Sequence, residues 1–222
     1  FEEQLKKGDL IHVTLSSGIT GSYANAVAAA EELRPKYPDR KISVIDSLGA
    51  SSGYGMLIDT AADMRDAGKS FEETESWILE WRTRIHHQFY SITMDYFRRS
   101  GRVSGPAAAI ATILNICPMM RFDGNGRIIA YEKVRGIKNV IRKTAEAMTT
   151  HAIDGKDYSG KCFISHSNCI EQAEELRNMI VKEFPKLKKN EIAIYDIGTI
   201  IASHTGPGTL ALFFFGDDRK AE

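Results

Sequence analysis

"DLIHVTLSSGITGSYANAVAAAEELRPKY" (residues 9–37) is the stretch that decides the fold. It begins as a short apolar, β-branched run (9–15) and passes through a polar turn carrying Gly18 and Gly21. A helical period follows, with alanines at 24, 26, 28, 29 and 30. The order is therefore strand, turn, helix. "KISVIDS" (41–47) followed by "LGASSGYGMLIDTAADMRDAG" (48–68) repeats it. Two such units in succession predict a parallel sheet of the α/β kind. "SFEETESWILEWRTRIHH" (70–87) then predicts a charged amphipathic helix, opened by Ser70 with Glu73 at capping-box spacing.

Downstream the rhythm changes. "QFYSITM" (88–94) reads as a strand, followed by the polar "DYFRRSGRVSG" and a helix over 106–116, with Cys117 before Pro118 at its exit. "CPMMRFD" and "RIIAYEKV" flank "GNG" (124–126), a hairpin signal because glycine and asparagine tolerate positive φ. Helices at "GIKNVIRKTAEAMTTHAI" and "NCIEQAEELRNMIVKEFP" alternate with strands at "GKCFISHS", "EIAIYDIG" and "LALFFFG". The fold class expected is α/β plus α+β. Residues 1–75 supply part of a parallel-sheet domain, and 76–222 an α+β domain with a mainly antiparallel sheet. The boundary falls within 68–88.

Composition excludes several functions. Lys+Arg and Asp+Glu both total 29 in 222 residues, so no net charge draws the chain to nucleic acid or an anionic membrane. The apolar runs are too short to span a bilayer, and no secretory signal is expected. Three cysteines without C-x-x-C spacing argue against a disulfide framework or zinc site and point to a reducing cytoplasm. Cys117 and Cys162 read as small core hydrophobes. The histidines are scattered apart from His86-His87, and His166 with Cys169 makes only two ligands, so no metal or cofactor is expected.

Four places could hold an anion, each beside a plainer alternative. Ser16, Ser17 and Thr20 lie where a strand meets a helix N-terminus, the ligand-binding edge of open α/β sheets, or are an ordinary helix cap. The turn has neither the lysine of a phosphate-binding loop nor a G-x-S-x-G elbow. Arg98, Arg99 and Arg102 form a solvated basic turn, or Arg102 turns inward to a carboxylate or phosphate. Lys133, Arg135 and Lys138 are a charged loop or a second cation for the same anion. His204, in "SHTGPGT", has no carboxylate or serine partner nearby in sequence, and geometry is needed to decide on catalysis.

Taken together, "HVTLSSGITGSYANA", "VIDSLGASSGYG", "DYFRRSGRVSG", "LNICPMMRFDGNGRI", "KVRG" and "HTGPGT" resemble, in this order, the DegV family of bacterial fatty-acid-binding proteins. The resemblance covers essentially the whole chain. It implies two domains with a single long-chain fatty acid buried between them, residues 198–209 contributing to the ligand site. It further implies presentation of the bound acid to a separate ATP-dependent fatty acid kinase, whose acyl phosphate feeds phospholipid synthesis. The serine pair of the family's S-S-x-x-[ST]-G motif matches Ser16 and Ser17, one of which is then expected to bond the carboxylate. The arginines of G-R-[IV]-S and K-V-R match Arg102 and Arg135, and the histidine of H-x-G-P-G matches His204. The resemblance implies ligand binding by these five residues and no catalytic turnover. An enzyme on a small carboxylated or phosphorylated substrate, with His204 as acid/base, is the alternative. Two departures stand out. The family's upstream T-S-Q-P-type motif is absent, so an N-terminal segment is expected to be missing and the head-group site to be partial. Cys117 also stands where many relatives carry lysine before proline.

Overall fold

The computed structural model describes residues 1–102 and 115–220. After a four-residue helix α1 (Glu2–Leu5), both strand–turn–helix units form as their periodicity requires. Strand β1 (Leu10–Thr14) lies parallel to β2 (Ile42–Asp46), in register from Leu10 opposite Ile42 to Thr14 opposite Asp46. Helix α2 (Ser22–Leu33) makes the crossover that parallel pairing demands, and α3 (Ser51–Asp66) follows β2. Among the described residues β1 has a strand neighbour on one side only. Leu5, Ala30 and Ile42 form a small core beneath α2, while Val13, Ile45, Met56 and Leu57 join the main core.

Helix α4 (Phe71–Trp81) opens on the expected capping box. Ser70 Oγ accepts from the Glu73 amide at 3.1 Å and Glu73 Oε2 accepts from the Ser70 amide at 2.8 Å. The helix ends at Trp81, short of the expected residue 87. Residues Ile85–Ser91 are strand β3, three positions upstream of the strand expected at 88–94. Tertiary burial overrides the helical charge pattern here, since all seven β3 residues are buried at the centre of the second sheet. Trp77 and Trp81 anchor the helix end, stacking at 5.9 Å and meeting Phe215 edge-on.

That second sheet has the order β5-β4-β3-β8-β6-β7. Its strands are β4 (Ile116–Phe122), β5 (Ile128–Arg135), β6 (Cys162–His166), β7 (Ile192–Asp196) and β8 (Thr209–Phe215). All neighbours are antiparallel except β6 and β7, in keeping with the mainly antiparallel expectation. Helices α6 (Ile137–His151) and α7 (Ile170–Glu183) pack together and against the sheet. Two short helices are not visible as patterns in the sequence. The polar run after β3 contains α5 (Asp95–Ser100), closed by Gly101 at φ 64°, and "TIIASHT" forms α8 (Thr199–Thr205). The helix expected over 106–116 lies outside the described residues up to 114, and Ile116 itself begins β4. Cys117 therefore sits inside a strand, buried, rather than at a helix exit. Among the described residues no helix is long and apolar enough to cross a membrane.

Arg219 ties the segment after β8 to the turn after β2 and to the loop between α4 and β3. Its Nε donates to the Thr83 carbonyl (3.1 Å), and its Nη2 donates to the carbonyls of Arg82 (2.8 Å) and Leu48 (2.9 Å). Burial lowers its pKa to about 10, still well above neutrality, so the guanidinium stays charged. Arg219→Ala removes three charge-assisted bonds and strands buried carbonyls. It is expected to cost about 3 kcal/mol, read as a lower urea midpoint at unchanged m value.

Candidate functional site: an apolar cavity with a cationic lip

The alternation of β3 sends successive side chains to opposite faces of the sheet. His87 and Phe89 face a cavity with about 160 Å³ open to the centre of a water molecule. Ala211 and Phe213 of β8 continue the sheet wall, Leu15 and Ile19 close it from the β1–α2 turn, and Ile197, Ile200 and Ile201 close it from around α8. Among the described residues the wall carries no Asp or Glu. Its polar members include Thr20, Ser51, Arg102, His204, Thr205 and Thr209. Ile200 is 76% exposed, placing an apolar residue at the outer edge of the cavity.

Arg102 and His204 also line a second, more polar recess outside the cavity, together with Tyr96, Arg99, Ser100 and Ser203. The two helices meeting there are α5 and α8. Ser100 Oγ donates to the His204 carbonyl at 3.4 Å, and the Arg102 guanidinium donates to the Ser100 carbonyl. Arg99 lies over the Tyr96 ring at 4.8 Å, a cation–π contact that holds a further positive charge beside the opening. Gly206, at φ 80°, ends α8 against the same Tyr96, where a Cβ would fall 2.4 Å from the ring. Gly208, at φ 75°, is as tight against Ile92, where a Cβ would fall 2.4 Å from Cδ1, so both glycines of "HTGPGT" mark close approaches.

Inside, two polar groups differ in how they are satisfied. His87 is fully enclosed, and burial holds its pKa well below the ordinary histidine value. Neutral imidazole satisfies both neighbours when Nδ1 donates to the Ile85 carbonyl (3.0 Å) and Nε2 accepts from the Ala50 amide (3.2 Å). Gly49 and Gly53 leave room for this ring, since a Cβ at either would lie 2.4 or 2.2 Å from Nε2. Among the described residues Thr205 Oγ1 is buried with no hydrogen-bond partner, and Thr205 belongs to the cavity wall.

The five residues singled out from sequence do not all converge. Arg102 and His204 come together at the cavity mouth, although they lie far apart in sequence. Ser16 is fully buried behind the wall formed by its neighbours Leu15 and Ile19. Its Oγ donates to the Gly126 carbonyl at 2.6 Å and accepts from the Gly18 amide at 3.1 Å. Ser17 is exposed and gives its amide to Asp46 Oδ1 at 3.1 Å. Arg135 ends β5 opposite Ile116, exposed and away from the cavity wall. His87, Ser51 and Thr205 are cavity residues that the sequence reading missed. The small-residue run "LGASSG" carried a signal for His87, in the two glycines that accept its ring, but nothing in sequence pairs them.

Fold and site together define a two-sheet α/β protein with an apolar cavity that opens onto a cationic recess. The chain belongs to the DegV family: the family model described as "Uncharacterised protein, DegV family" matches residues 1–217. A DegV domain-containing protein of Clostridium perfringens is 37% identical over 221 residues, covering 99% of this chain and 74% of that protein. Among solved structures, the fatty acid binding DegV family protein of Streptococcus agalactiae superposes with a TM-score of 0.80 at 25% identity, over 97% of this chain and 74% of its own. The Streptococcus pneumoniae fatty acid kinase (Fak) B3 protein, loaded with linoleic acid, gives 0.85 at 23% identity, over 97% of this chain and 76% of its own. That last likeness shows the fold.

Proposed function

We propose that this chain binds one long-chain fatty acid, with its acyl tail in the apolar cavity and its carboxylate at the lip formed by Arg102 and His204. The observation that carries the reading is that these two residues line both the apolar cavity and the polar recess outside it. An amphiphile with an anionic head matches that division. Thr205 Oγ1, buried and without a partner among the described residues, would become a further donor if its side chain turned toward the head group. About fifteen methylenes at roughly 0.8 kcal/mol each bring an upper limit near 12 kcal/mol, before ordering costs, so few head-group bonds suffice. Ser16 acts by holding the β1–α2 turn on Gly126, and Ser17 and Arg135 serve the head group or a docking partner from outside the cavity. In this reading residues 1–75 and 76–222 are the two bodies that enclose the ligand.

The chain is proposed to present the exposed carboxylate to a fatty acid kinase for acyl-phosphate formation, in the cytoplasm, with no turnover or cofactor of its own. The name of the pneumococcal neighbour supports that partner class. The enzyme alternative lacks support from the cavity: among the described residues of the wall His204 has no carboxylate beside it to act as a second acid/base group.

Oleate should therefore outcompete its methyl ester, which keeps the tail and loses the charge, by at least about tenfold. Arg102→Glu should abolish that preference, and His204→Ala should reduce it with the thermal transition unchanged. Equal affinity for acid and ester in the wild type would remove the anion-binding lip. Loss of the cooperative transition in His204→Ala would make that residue structural.

A further inference from the structure

The dipeptide His86-His87 serves both faces of β3. His87 faces the cavity, whereas His86 faces away from it, toward the C-terminal end of α6. There His86 meets His151, the last residue of α6, and Asp217, just beyond β8. We propose that His86 Nε2, His151 Nδ1 and Asp217 Oδ1 form a binding site for one divalent transition-metal ion of the zinc class.

The three donor atoms already converge. Asp217 Oδ1 is 2.9 Å from His86 Nε2 and 3.1 Å from His151 Nδ1, and all three atoms lie within 4.8 Å of one another. Tetrahedral zinc with bonds of roughly 2.0–2.1 Å places its ligand atoms about 3.3 Å apart, so two of the three edges need only small adjustment. The Asp217 main-chain carbonyl, 3.0 Å from His86 Nε2, lies beside them. Two imidazoles and one carboxylate favour zinc, cobalt or nickel over the hard cations magnesium and calcium.

The His86 ring and the Asp217 backbone are also held before any ion arrives. The His86 ring is sandwiched between His151 (4.7 Å, 21°) and Phe214 (5.1 Å, 11°). Gly216 leaves it space, since a Cβ there would fall 2.5 Å from His86 Cδ2. The Asp217 amide donates to the His151 carbonyl at 2.9 Å, which holds the Asp217 backbone at the helix end. The Asp217 side chain is 63% exposed, so an ion reaches the site from solvent without disturbing the sheet. No sequence motif marks the site, because its members come from three elements at positions 86, 151 and 217.

The full chain, stripped with chelator, is titrated calorimetrically with zinc chloride and followed in the visible with cobalt(II). One ion per chain and the absorption of four-coordinate cobalt are expected. His151→Ala and Asp217→Ala, both at accessible positions, should each weaken zinc by at least about tenfold. His12→Ala should leave affinity unchanged. No saturable zinc binding by the wild type would overturn the proposal, as would retention of full affinity in both variants. Neither readout depends on fatty acid, because the site lies across the sheet from the cavity.

Discussion

Gly126→Val is expected to destabilise the protein by about 3 kcal/mol, visible as a large drop in urea midpoint. Gly126 has φ 70°, a left-handed conformation that a β-branched residue adopts only under strain. A Cβ at this position would also lie 2.1 Å from Ser16 Oγ and 3.0 Å from Leu48 Cα. The Leu48 atom is backbone and cannot swing aside. Gly18 is equally tight from the other direction, with a built Cβ falling 2.2 Å from the Gly126 carbonyl oxygen. The hairpin of the second sheet and the first turn of the parallel sheet thus meet backbone to backbone, joined by the Ser16 hydroxyl. Fatty-acid capture should fall with stability, because Leu15 and Ile19 of the same turn are cavity wall. Gly8→Ala is the control, since nothing lies within 4 Å of a Cβ there, and should change stability by less than about 0.5 kcal/mol. A Gly126→Val protein as stable as the wild type would show that the two turns do not pack as described.

Ile201→Trp should weaken long-chain fatty-acid binding by roughly two-hundred-fold while leaving the melting transition largely intact. Ile201 sits on α8, half-buried, and faces the cavity, so an indole there takes volume from the tail rather than from the core. Displacing about four methylenes at roughly 0.8 kcal/mol each costs about 3 kcal/mol, which is that fold-change. Shorter acids should be affected less. An unchanged oleate affinity would place the tail somewhere other than this cavity.

Much of the fold was legible because its signals are local. The strand–turn–helix order of residues 9–68, the capping box at Ser70 and the hairpin around Gly126 all depend on near neighbours in sequence, and all are present. What was misread depended on distant burial. "RIHH" looks like the charged end of a helix until β8 pairs with Ile85, His86 and His87, and then its histidines are buried strand residues. α5 and α8 are too short for a period to be read, yet α8 carries His204 and much of the cavity's outer wall. At the site, the chemical types were visible but not their geometry. Arg102 and His204 do meet, whereas Ser16 is engaged by a carbonyl 110 residues away, a contact no spacing could have shown. Thr205, beside His204 in sequence, gives no signal there, because a hydroxyl without a partner among the described residues is recognisable only once its surroundings are known.

Native mass spectrometry of the chain after expression in bacteria tests the fatty-acid proposal most directly. A single adduct with the mass of one long-chain fatty acid is predicted, displaced in competition by added oleate and reduced in Ile201→Trp. A ligand-free protein that takes up no added fatty acid, although folded by its cooperative melting, would contradict it.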